Sequence, residues 1–325
     1  MKICVLGSGA YGIALASIMN KNKHDIVMWT HNKEECENLN KNRTSKKLPG
    51  YKVPDKIEFT DDFEHAIKDK ELIVIAVPAF AFDEISQKLS KCILKTKQHI
   101  LVATKGIEQD TCLFLEEVLK KYIDTKFFAV ISGPTFATEI IKEIPIGFSL
   151  GVRNSKTKEV VINALKNKNT KLRPTKDIVG VEICGSIKNV MAIASGILGG
   201  MEVEDSTKAL FLTESLNDIK ELIKALGGNK KTILSFAGFG DILMTCTSTT
   251  SRNYSFGYLI GKGATKKEVE EYLKNTTVEG MYTLKSIHKL IKNKKVKIPI
   301  INLIYNIILK DMEKEKLLSF LITKE

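Results

Sequence analysis

Residues 2–21 read KICVLGSGAYGIALASIMNK and hold the pattern that decides the fold of this chain. The apolar run at 1–6 predicts a short buried strand, and 10–21 has the spacing of a helix with an apolar face. The turn between them carries glycines in the order GxGxxG. A strand, a glycine-rich turn and a helix in this order are typical of the first unit of a dinucleotide-binding fold.

Each glycine of the motif has a separate physical task in such a fold. Gly7 permits the tight turn, Gly9 lets the backbone approach a pyrophosphate, and Gly12 lets the helix pack closely on the strand. The free N–H groups at the start of the helix then face the phosphates. The simpler alternative is that these are ordinary turn glycines. The flanking strand and helix favour the phosphate-binding interpretation.

Strand and helix patterns alternate over the first half of the chain. The predicted strands are 1–6, 25–30, 72–77, 100–104, 127–132 and 146–152. The predicted helices are 10–21, 33–41, 80–91, 110–122 and 155–167. Residues 42–56 are polar, contain prolines and a glycine, and predict a loop. Strands that alternate with helices predict βαβ units and a mostly parallel, Rossmann-like sheet.

The pattern changes near Asp177, beyond which we find no convincing strand. The predicted helices there are 205–226, 265–274, 282–291 and 300–310. Thr265 and Glu268 have the spacing of a capping box, and Pro299 suits a first helical turn. We therefore expect an α/β fold class with two domains: a Rossmann-like NAD(P)-binding domain at 1–177 and an all-helical substrate and catalytic domain at 178–325.

Composition narrows the classes of function. The net charge of +12 is mostly lysine spread along all 325 residues, and the dense run at 292–297 has no interleaved aromatic residues. We therefore do not expect a nucleic-acid partner. The six cysteines are scattered without metal-ligand spacing. They predict reduced thiols in a cytoplasmic protein and no bound metal.

The sequence does not predict a membrane protein. No apolar run reaches the roughly 18 residues needed to span a bilayer, and 181–200 comes nearest. The first residues lack the pattern of a secretory signal. We expect a cytoplasmic protein without stable membrane insertion.

The segment 181–200, VEICGSIKNVMAIASGILGG, contains a single lysine, Lys188. Its helical neighbours are small or uncharged, so this face is thin and lets a ligand or another backbone approach. An ordinary explanation is that the long stem carries the ammonium to solvent. The alternative is a functional lysine in an apolar setting, where burial lowers the pKa of the side chain.

The second strand ends without the acid that binds the ribose of NAD. Residues 29–33 read WTHNK, so a base stands where the carboxylate is usual. A missing acid and a nearby base suit a 2′-phosphate. We expect NADPH or NADH as cofactor, with NADPH favoured.

Several stretches together closely resemble the bacterial type of NAD(P)-dependent glycerol-3-phosphate dehydrogenase. They are GSGAYGIALA, VATKGIE, VISGPTFATEI, GSIKNVMAIASGI, AGFGDILMTCTSTTSRNYSFG and TVEG, and they run in the expected order. The resemblance implies an oxidoreductase that transfers hydride between NAD(P)H and dihydroxyacetone phosphate, giving sn-glycerol 3-phosphate for phospholipid synthesis. It also implies a homodimer.

The resemblance assigns roles to individual residues. Lys188 matches the proton donor and acceptor, and Lys105 and Asp241 match groups that act beside it. The implied substrate contacts are Lys105, Gly133, Thr135, Lys188, Asp241, Ser251, Arg252 and Asn253. The implied cofactor contacts are Gly7, Gly9, Ala10, Tyr11, Gly12, His31, Lys105, Ala137, Arg252, Val278 and Glu279. Among the latter, Ala10, Tyr11 and His31 are expected around the adenine half.

Residue chemistry alone leaves plainer alternatives open at several of these positions. Lys105 could be a solvated loop lysine, and Asp241 could be a helix N-cap, with Thr245 one turn further on. Ser251–Asn253 could be a helix start with an exposed arginine. Arg252 nevertheless offers a planar fork that suits phosphate oxygens.

The chain also departs from the family pattern. Glu214 and Ser215 stand where an arginine–glycine pair is common, which raises a question about local packing or dimer contacts. Two other functions stay open at this point. One is a different two-domain hydroxyacid dehydrogenase, and the other is an NAD(P)-sensing protein without catalysis.

Overall fold

A computed structural model describes residues 1–92, 98–292 and 294–323. The chain divides into two compact units. Unit 1 comprises Met1–Lys105 and Leu115–Ile178, and unit 2 comprises Gly106–Phe114 and Val179–Glu325. The short segment Gly106–Phe114 therefore belongs to unit 2, although the sequence pattern assigned it to the first domain.

Unit 1 is built on a sheet with the strand order β10-β9-β8-β7-β6-β1-β2-β5. The strands of the described chain are β1 (Lys2–Leu6), β2 (Asp25–Trp29), β3 (Thr44–Ser45), β4 (Leu48–Lys52), β5 (Glu58–Thr60), β6 (Leu72–Ile75), β7 (His99–Val102), β8 (Phe128–Ser132), β9 (Ile146–Val152) and β10 (Thr170–Thr175). All neighbours in this sheet are parallel except β8 and β9. The predicted, mostly parallel Rossmann-like sheet is confirmed.

Six strands match the predictions, but four were missed. The expectation of a plain loop at 42–56 is wrong, because β3 and β4 pair there as an antiparallel hairpin. The two outermost strands of the main sheet, β5 and β10, pair on one side only. Since such edge strands stay partly exposed, they lack the apolar run that identifies a buried strand.

The helices of unit 1 lie in the connections between these strands. They are α1 (Ala10–Lys21), α2 (Lys33–Asn42), α3 (Phe63–Ile67), α4 (Phe82–Cys92), α5 (Leu115–Lys120), α6 (Ala137–Ile140) and α7 (Ser155–Leu165). Helix α5 is shorter than the predicted 110–122. The buried Glu108 carboxylate accepts the N–H groups of Asp110 and Thr111, and Cys112 has a φ of 58°, so a turn replaces the first part of that helix.

Strand β1 lies between β2 and β6, and this position fixes where a ligand can bind. The chain runs from β1 outward through β2 to β5, and then returns to β6 on the other side of β1. The turn after β1 is therefore at the switch point of the strand order. In open parallel sheets, ligands bind in the crevice at such a point.

The regular elements that the structure describes in unit 2 are all helices, as predicted. Its helices are α8 (Ile178–Gly200), α9 (Asp205–Ala225), α10 (Asp241–Cys246), α11 (Arg252–Gly261), α12 (Lys266–Asn275), α13 (Glu279–Ile291), α14 (Pro299–Leu309) and α15 (Lys316–Thr323). The capping box of Thr265 and Glu268 and the proline at the start of α14 are confirmed.

Helix α8 is longer and more apolar than we expected from the sequence. It has 23 residues and, in the described chain, is the one helix long and apolar enough to cross a membrane by length and composition. The expectation that no segment reaches this length is wrong. However, 94% of its apolar window is buried in the protein, as is typical of a core helix.

The small residues of α8 make room for another backbone. A Cβ atom added at Gly196 would lie 2.1 Å from the carbonyl oxygen of Tyr254 in α11, and one at Gly200 would lie 2.3 Å from that of Tyr258. In return, a Cβ at Gly257 would lie 1.8 Å from the carbonyl oxygen of Ile193. Glycines on both helices thus allow α8 and α11 to touch along their backbones.

We expect Gly257→Ala to destabilise the protein, because its methyl group would force these two backbones apart. Overpacking of this kind lowers the free energy of unfolding by about 1–3 kcal/mol. Chemical denaturation monitored by circular dichroism measures the change. The control is Lys267→Ala on the exposed side of α12, which should change stability by less than about 0.5 kcal/mol. Equal stability of the two variants would contradict the close packing.

Candidate active site

The glycines after β1 form a turn in which Gly7 and Gly12 pack against backbone atoms, whereas Gly9 has open space beside it. Gly7 has a φ of 112°, and a Cβ there would lie 2.7 Å from the carbonyl oxygen of Ala76. A Cβ at Gly12 would lie 2.2 Å from the carbonyl oxygen of Gly7, whereas one at Gly9 would meet nothing within 4 Å. Gly9 also caps α1 without a side chain. This turn therefore leaves the start of α1 accessible to a diphosphate, as a dinucleotide site requires.

The end of β2 presents a histidine and no adjacent carboxylate. His31 is exposed, and its ring centroid lies 6.5 Å from that of Trp29. Thr30 is buried and accepts a hydrogen bond from the Ser8 hydroxyl at 2.9 Å. Glu35, one of two acids in the first turn of α2, forms an ion pair with Lys47 at 2.8 Å. Sequence reasoning did not consider Glu35, because it stands one turn beyond the usual position.

Lys105 lies in a cluster with other predicted residues of unit 1. It follows β7, and its Nζ donates to the carbonyl oxygen of Gly133 at 3.3 Å. The buried Thr135 hydroxyl donates to the same oxygen at 3.2 Å. The structure thus brings together Lys105, Gly133 and Thr135. Tyr11 of the glycine turn joins this cluster, because it contacts Thr135 and Lys105. Ala137 begins α6 just beyond this cluster.

Lys188 forms a buried ion pair in unit 2. Its Nζ lies 2.5 Å from Oδ1 of Asp241, and the two residues are 7% and 0% exposed. The neighbours of Lys188 on its own helix are uncharged, as expected, and the carboxylate comes from Asp241 of α10, which was expected to act beside it. Asp241 is the first residue of α10 and Gly240 is its N-cap, so the alternative role of Asp241 as N-cap is wrong.

The backbone before α10 delivers Asp241 to this position. Residues 236–240 form a π-helical turn, broken at Gly238 with φ −84° and ψ −110°. A Cβ at Gly238 would lie 2.2 Å from the carbonyl oxygen of Ile233. The Thr245 hydroxyl donates to the backbone oxygen of Asp241 at 2.6 Å and lies 3.4 Å from Oδ1. Nearby, burial raises the pKa of the Cys246 thiol strongly, which keeps the sulfur protonated and unreactive.

A chain of side-chain amides connects three helices next to this pair. Asn253 of α11 donates to Asn189 Oδ1 of α8 at 3.1 Å, and Asn189 donates to Glu279 Oε2 of α13 at 3.2 Å. The Gly280 N–H donates to Asn253 Oδ1 at 2.9 Å. Sequence reasoning missed Asn189. The signal was a second polar side chain beside Lys188 in an otherwise apolar helix.

The predicted phosphate residues are at the start of α11. Ser251 is the N-cap and accepts the Tyr254 N–H at 3.3 Å, so the plainer expectation of a helix start is correct. Arg252 is exposed at the first helical position, where a guanidinium and free helix N–H groups can face one anion. Val278 is the buried N-cap residue of α13, directly before Glu279.

Two further observations concern metals and the departure from the family pattern. Over residues 1–92, 98–292 and 294–323, no group of three or more His, Cys, Asp or Glu residues could hold a metal ion.

Ser215 is buried in α9 and donates to the carbonyl oxygen of Phe211 at 2.7 Å. Its hydroxyl is therefore satisfied within its own helix.

Known proteins of one family match this chain over nearly its whole length. Residues 2–158 match the family described as NAD-dependent glycerol-3-phosphate dehydrogenase N-terminus, and residues 177–319 match the corresponding C-terminus. A glycerol-3-phosphate dehydrogenase (NAD(P)+) from Thermoanaerobacter sp. (strain X514) is 39% identical, over 100% of this chain and 98% of that protein. One of the same name from Fusobacterium nucleatum is 38% identical, over 93% and 90%.

A solved structure with the same family name has the same fold. The crystal structure of a glycerol-3-phosphate dehydrogenase from Coxiella burnetii superimposes with a TM-score of 0.92 at 29% identity, covering 99% of each chain. The chain belongs to the NAD-dependent glycerol-3-phosphate dehydrogenase family.

We expect Asp241→Ala to lower the free energy of unfolding by about 3–5 kcal/mol, because it leaves a buried ammonium without its carboxylate. The double variant Lys188→Met/Asp241→Leu removes both charges and should recover most of that loss. Urea denaturation of the three proteins provides the comparison. The control is the exposed pair of Lys208 and Asp205, where Asp205→Ala should cost less than about 1 kcal/mol. A double variant as unstable as Asp241→Ala would contradict this view of the pair.

Proposed function

We propose that this protein catalyses the reversible NAD(P)-dependent interconversion of dihydroxyacetone phosphate and sn-glycerol 3-phosphate, which supplies glycerol 3-phosphate for phospholipid synthesis. The observation that carries the proposal is the buried pair of Lys188 and Asp241, 2.5 Å apart, on an apolar helix. Reduction of a ketone needs a hydride on carbon and a proton on oxygen. When bound, the reduced nicotinamide supplies the hydride.

Lys188 is the proposed proton donor in the direction of ketone reduction. Its ammonium carries three N–H donors, and the bond to Asp241 uses one of them. We infer that another donates its proton to the carbonyl oxygen as that oxygen becomes a hydroxyl. In the reverse direction the neutral amine takes the proton back. Asp241 holds the amine in place and stabilises its charged form, and Thr245 donates to the backbone oxygen of Asp241 and so fixes the start of α10.

The phosphate of the substrate is assigned to the start of α11. Arg252 supplies a charged, planar fork, and the free N–H groups of the helix add partial positive charge. Asn253 keeps one amide hydrogen beyond the one that it donates to Asn189. Lys105, Gly133 and Thr135 of unit 1 are the remaining proposed substrate contacts, together with Ser251.

Unit 1 is the proposed NAD(P)-binding domain. Gly7, Gly9, Ala10 and Gly12 would hold the pyrophosphate at the start of α1, and the open position at Gly9 supports this assignment. His31 would face the adenosine half. We favour NADPH, because the end of β2 offers no unpaired carboxylate and Glu35 is engaged by Lys47. Further proposed cofactor contacts are Tyr11, Lys105, Ala137, Arg252, Val278 and Glu279.

We also infer that the protein is a cytoplasmic homodimer, with 178–325 as the substrate and catalytic domain. The free thiols of all six cysteines support a reducing compartment. Several large apolar side chains of unit 2 are exposed, among them Leu234 at 76% and Phe239 at 43%. Analytical ultracentrifugation tests the dimer.

A steady-state assay with dihydroxyacetone phosphate and each cofactor tests the function directly. We expect oxidation of both NADPH and NADH, with the larger kcat/KM for NADPH. The same titration, followed by nicotinamide fluorescence, gives the cofactor Kd. Tight cofactor binding without turnover would instead support an NAD(P)-sensing protein.

We expect Lys188→Met to lower kcat by at least about 100-fold, because the proton donor is lost. The Kd for NADPH should stay unchanged. Since this variant leaves Asp241 buried without its partner, Lys188→Met/Asp241→Asn is the companion that keeps the site neutral. Near-normal turnover in either variant would exclude proton transfer by Lys188.

We expect Arg252→Ala to raise KM for dihydroxyacetone phosphate by about 10–100-fold, as expected for a charge-assisted hydrogen bond to phosphate worth about 1.5–3 kcal/mol. Dihydroxyacetone, which has no phosphate, is the internal control, because its slow reduction should not change. Arg153→Ala is the matched variant outside the proposed site. An unchanged KM would place the phosphate elsewhere.

A further inference from the structure

The hydrogen-bond directions around Thr135 can be assigned from the number of protons. The Thr135 hydroxyl carries one proton and donates it to the carbonyl oxygen of Gly133 at 3.2 Å. Tyr11 Oη lies 3.1 Å from the same Thr135 hydroxyl oxygen. Tyr11 must therefore be the donor in that contact. The three groups form a chain that runs from Tyr11 through Thr135 to Gly133.

The same carbonyl oxygen of Gly133 is a partner of Lys105. The Nζ of Lys105 donates to it at 3.3 Å. The Tyr11 hydroxyl thus reaches Lys105 through Thr135 and Gly133. Tyr11 holds the Thr135 hydroxyl, and Thr135 holds the Gly133 carbonyl, so this chain fixes the position of the oxygen that accepts from Lys105.

The ring of Tyr11 also meets Lys105 directly. The ammonium lies 5.5 Å from the ring centroid, within the range of a cation–π contact. Tyr11 therefore supports the ammonium from the ring and anchors its carbonyl partner through the hydroxyl. A lysine has a flexible stem of four carbons, so two such constraints limit where its charge can lie.

Tyr11 itself is held by the rigid start of α1. It lies between Gly9 and Gly12, and the close approach of Gly12 to the carbonyl oxygen of Gly7 fixes this turn. An aromatic side chain has only two rotatable bonds, so it loses little entropy when it acts as a support. The residues that hold a diphosphate and the support of Lys105 thus belong to the same rigid turn.

We propose that Tyr11 is a positioning residue for Lys105, and that its main contribution is to substrate turnover rather than to cofactor affinity. The proposal rests on the proposed function. It gives the residue between Gly9 and Gly12 of the GxGxxG turn a role distinct from phosphate binding, in addition to the cofactor contact proposed above.

Two variants at Tyr11 separate the ring from the hydroxyl. Tyr11→Phe keeps the ring beneath Lys105, and we expect it to lower kcat/KM for dihydroxyacetone phosphate by about 2–10-fold, the value of one hydrogen bond. Tyr11→Leu loses both contacts and should lower it by about 10–100-fold. In both variants, the Kd for NADPH without substrate should rise by a smaller factor than kcat/KM falls. The matched control is Tyr122→Phe, which removes a phenol hydrogen bond to Asp83 of 2.8 Å and should leave kcat/KM unchanged.

A double-mutant cycle with Lys105 shows whether Tyr11 acts through that lysine. In a Lys105→Met background, Tyr11→Leu should lower the residual kcat/KM by less than about threefold, because the group that it positions is gone. A merely structural effect would lower activity by the same factor in both backgrounds, and that result would overturn the proposal.

The remaining outcomes also have defined meanings. A loss of NADPH affinity that equals the loss of kcat/KM would make Tyr11 a cofactor contact alone and overturn the proposal, with the proposed function intact. Failure of the unmodified protein to reduce dihydroxyacetone phosphate would overturn the proposed function, and with it the role of Tyr11.

Discussion

The buried ion pair of Lys188 and Asp241 is the constraint around which unit 2 is organised. Two charges away from water are tolerated only with good geometry, so both must be held firmly. Helix α8 holds the lysine within an apolar core, and the broken π-helical turn before α10 delivers the carboxylate. The pair is weak evidence for stability but strong evidence for a fixed ammonium. A proton donor has to be fixed in this way to face one oxygen.

The close contact of α8 and α11 also fixes the position of the residues that are predicted to bind the phosphate. Glycines on both helices let the backbones touch, so the start of α11 is placed relative to α8 by main-chain contact. Side-chain amides then complete the arrangement, since Asn253 reaches Asn189. Precision at this site therefore depends on residues that have no functional group at all, a feature shared with the glycine turn after β1.

How much of the structure can be predicted from the sequence depends on how far apart in the chain the interacting residues lie. Local patterns predicted the buried strands, the capping box at Thr265 and the change to helices, because each depends on neighbouring residues. Edge strands such as β10 were missed, since a strand covered on one side lacks an apolar run. Lys188 was found by its odd setting, but its partner is 53 residues away and no periodicity encodes that contact. Family resemblance, not spacing, supplied the substrate. It assigned Tyr11 to the cofactor but did not predict the contacts of Tyr11 with Lys105 and Thr135.

Helix α8 has a consequence for how the chain is made. Its glycine face is covered by α11, which is synthesised later. A nascent chain that has emerged only as far as α8 presents a 23-residue apolar segment without its cover. Segments of this length and composition are what the membrane-insertion machinery recognises, and exposed apolar surface also promotes aggregation. The charged Lys188 near the middle of the segment makes insertion into a bilayer costly. The group that is proposed to transfer a proton in the finished protein therefore also makes insertion of the unfinished chain into a membrane less favourable.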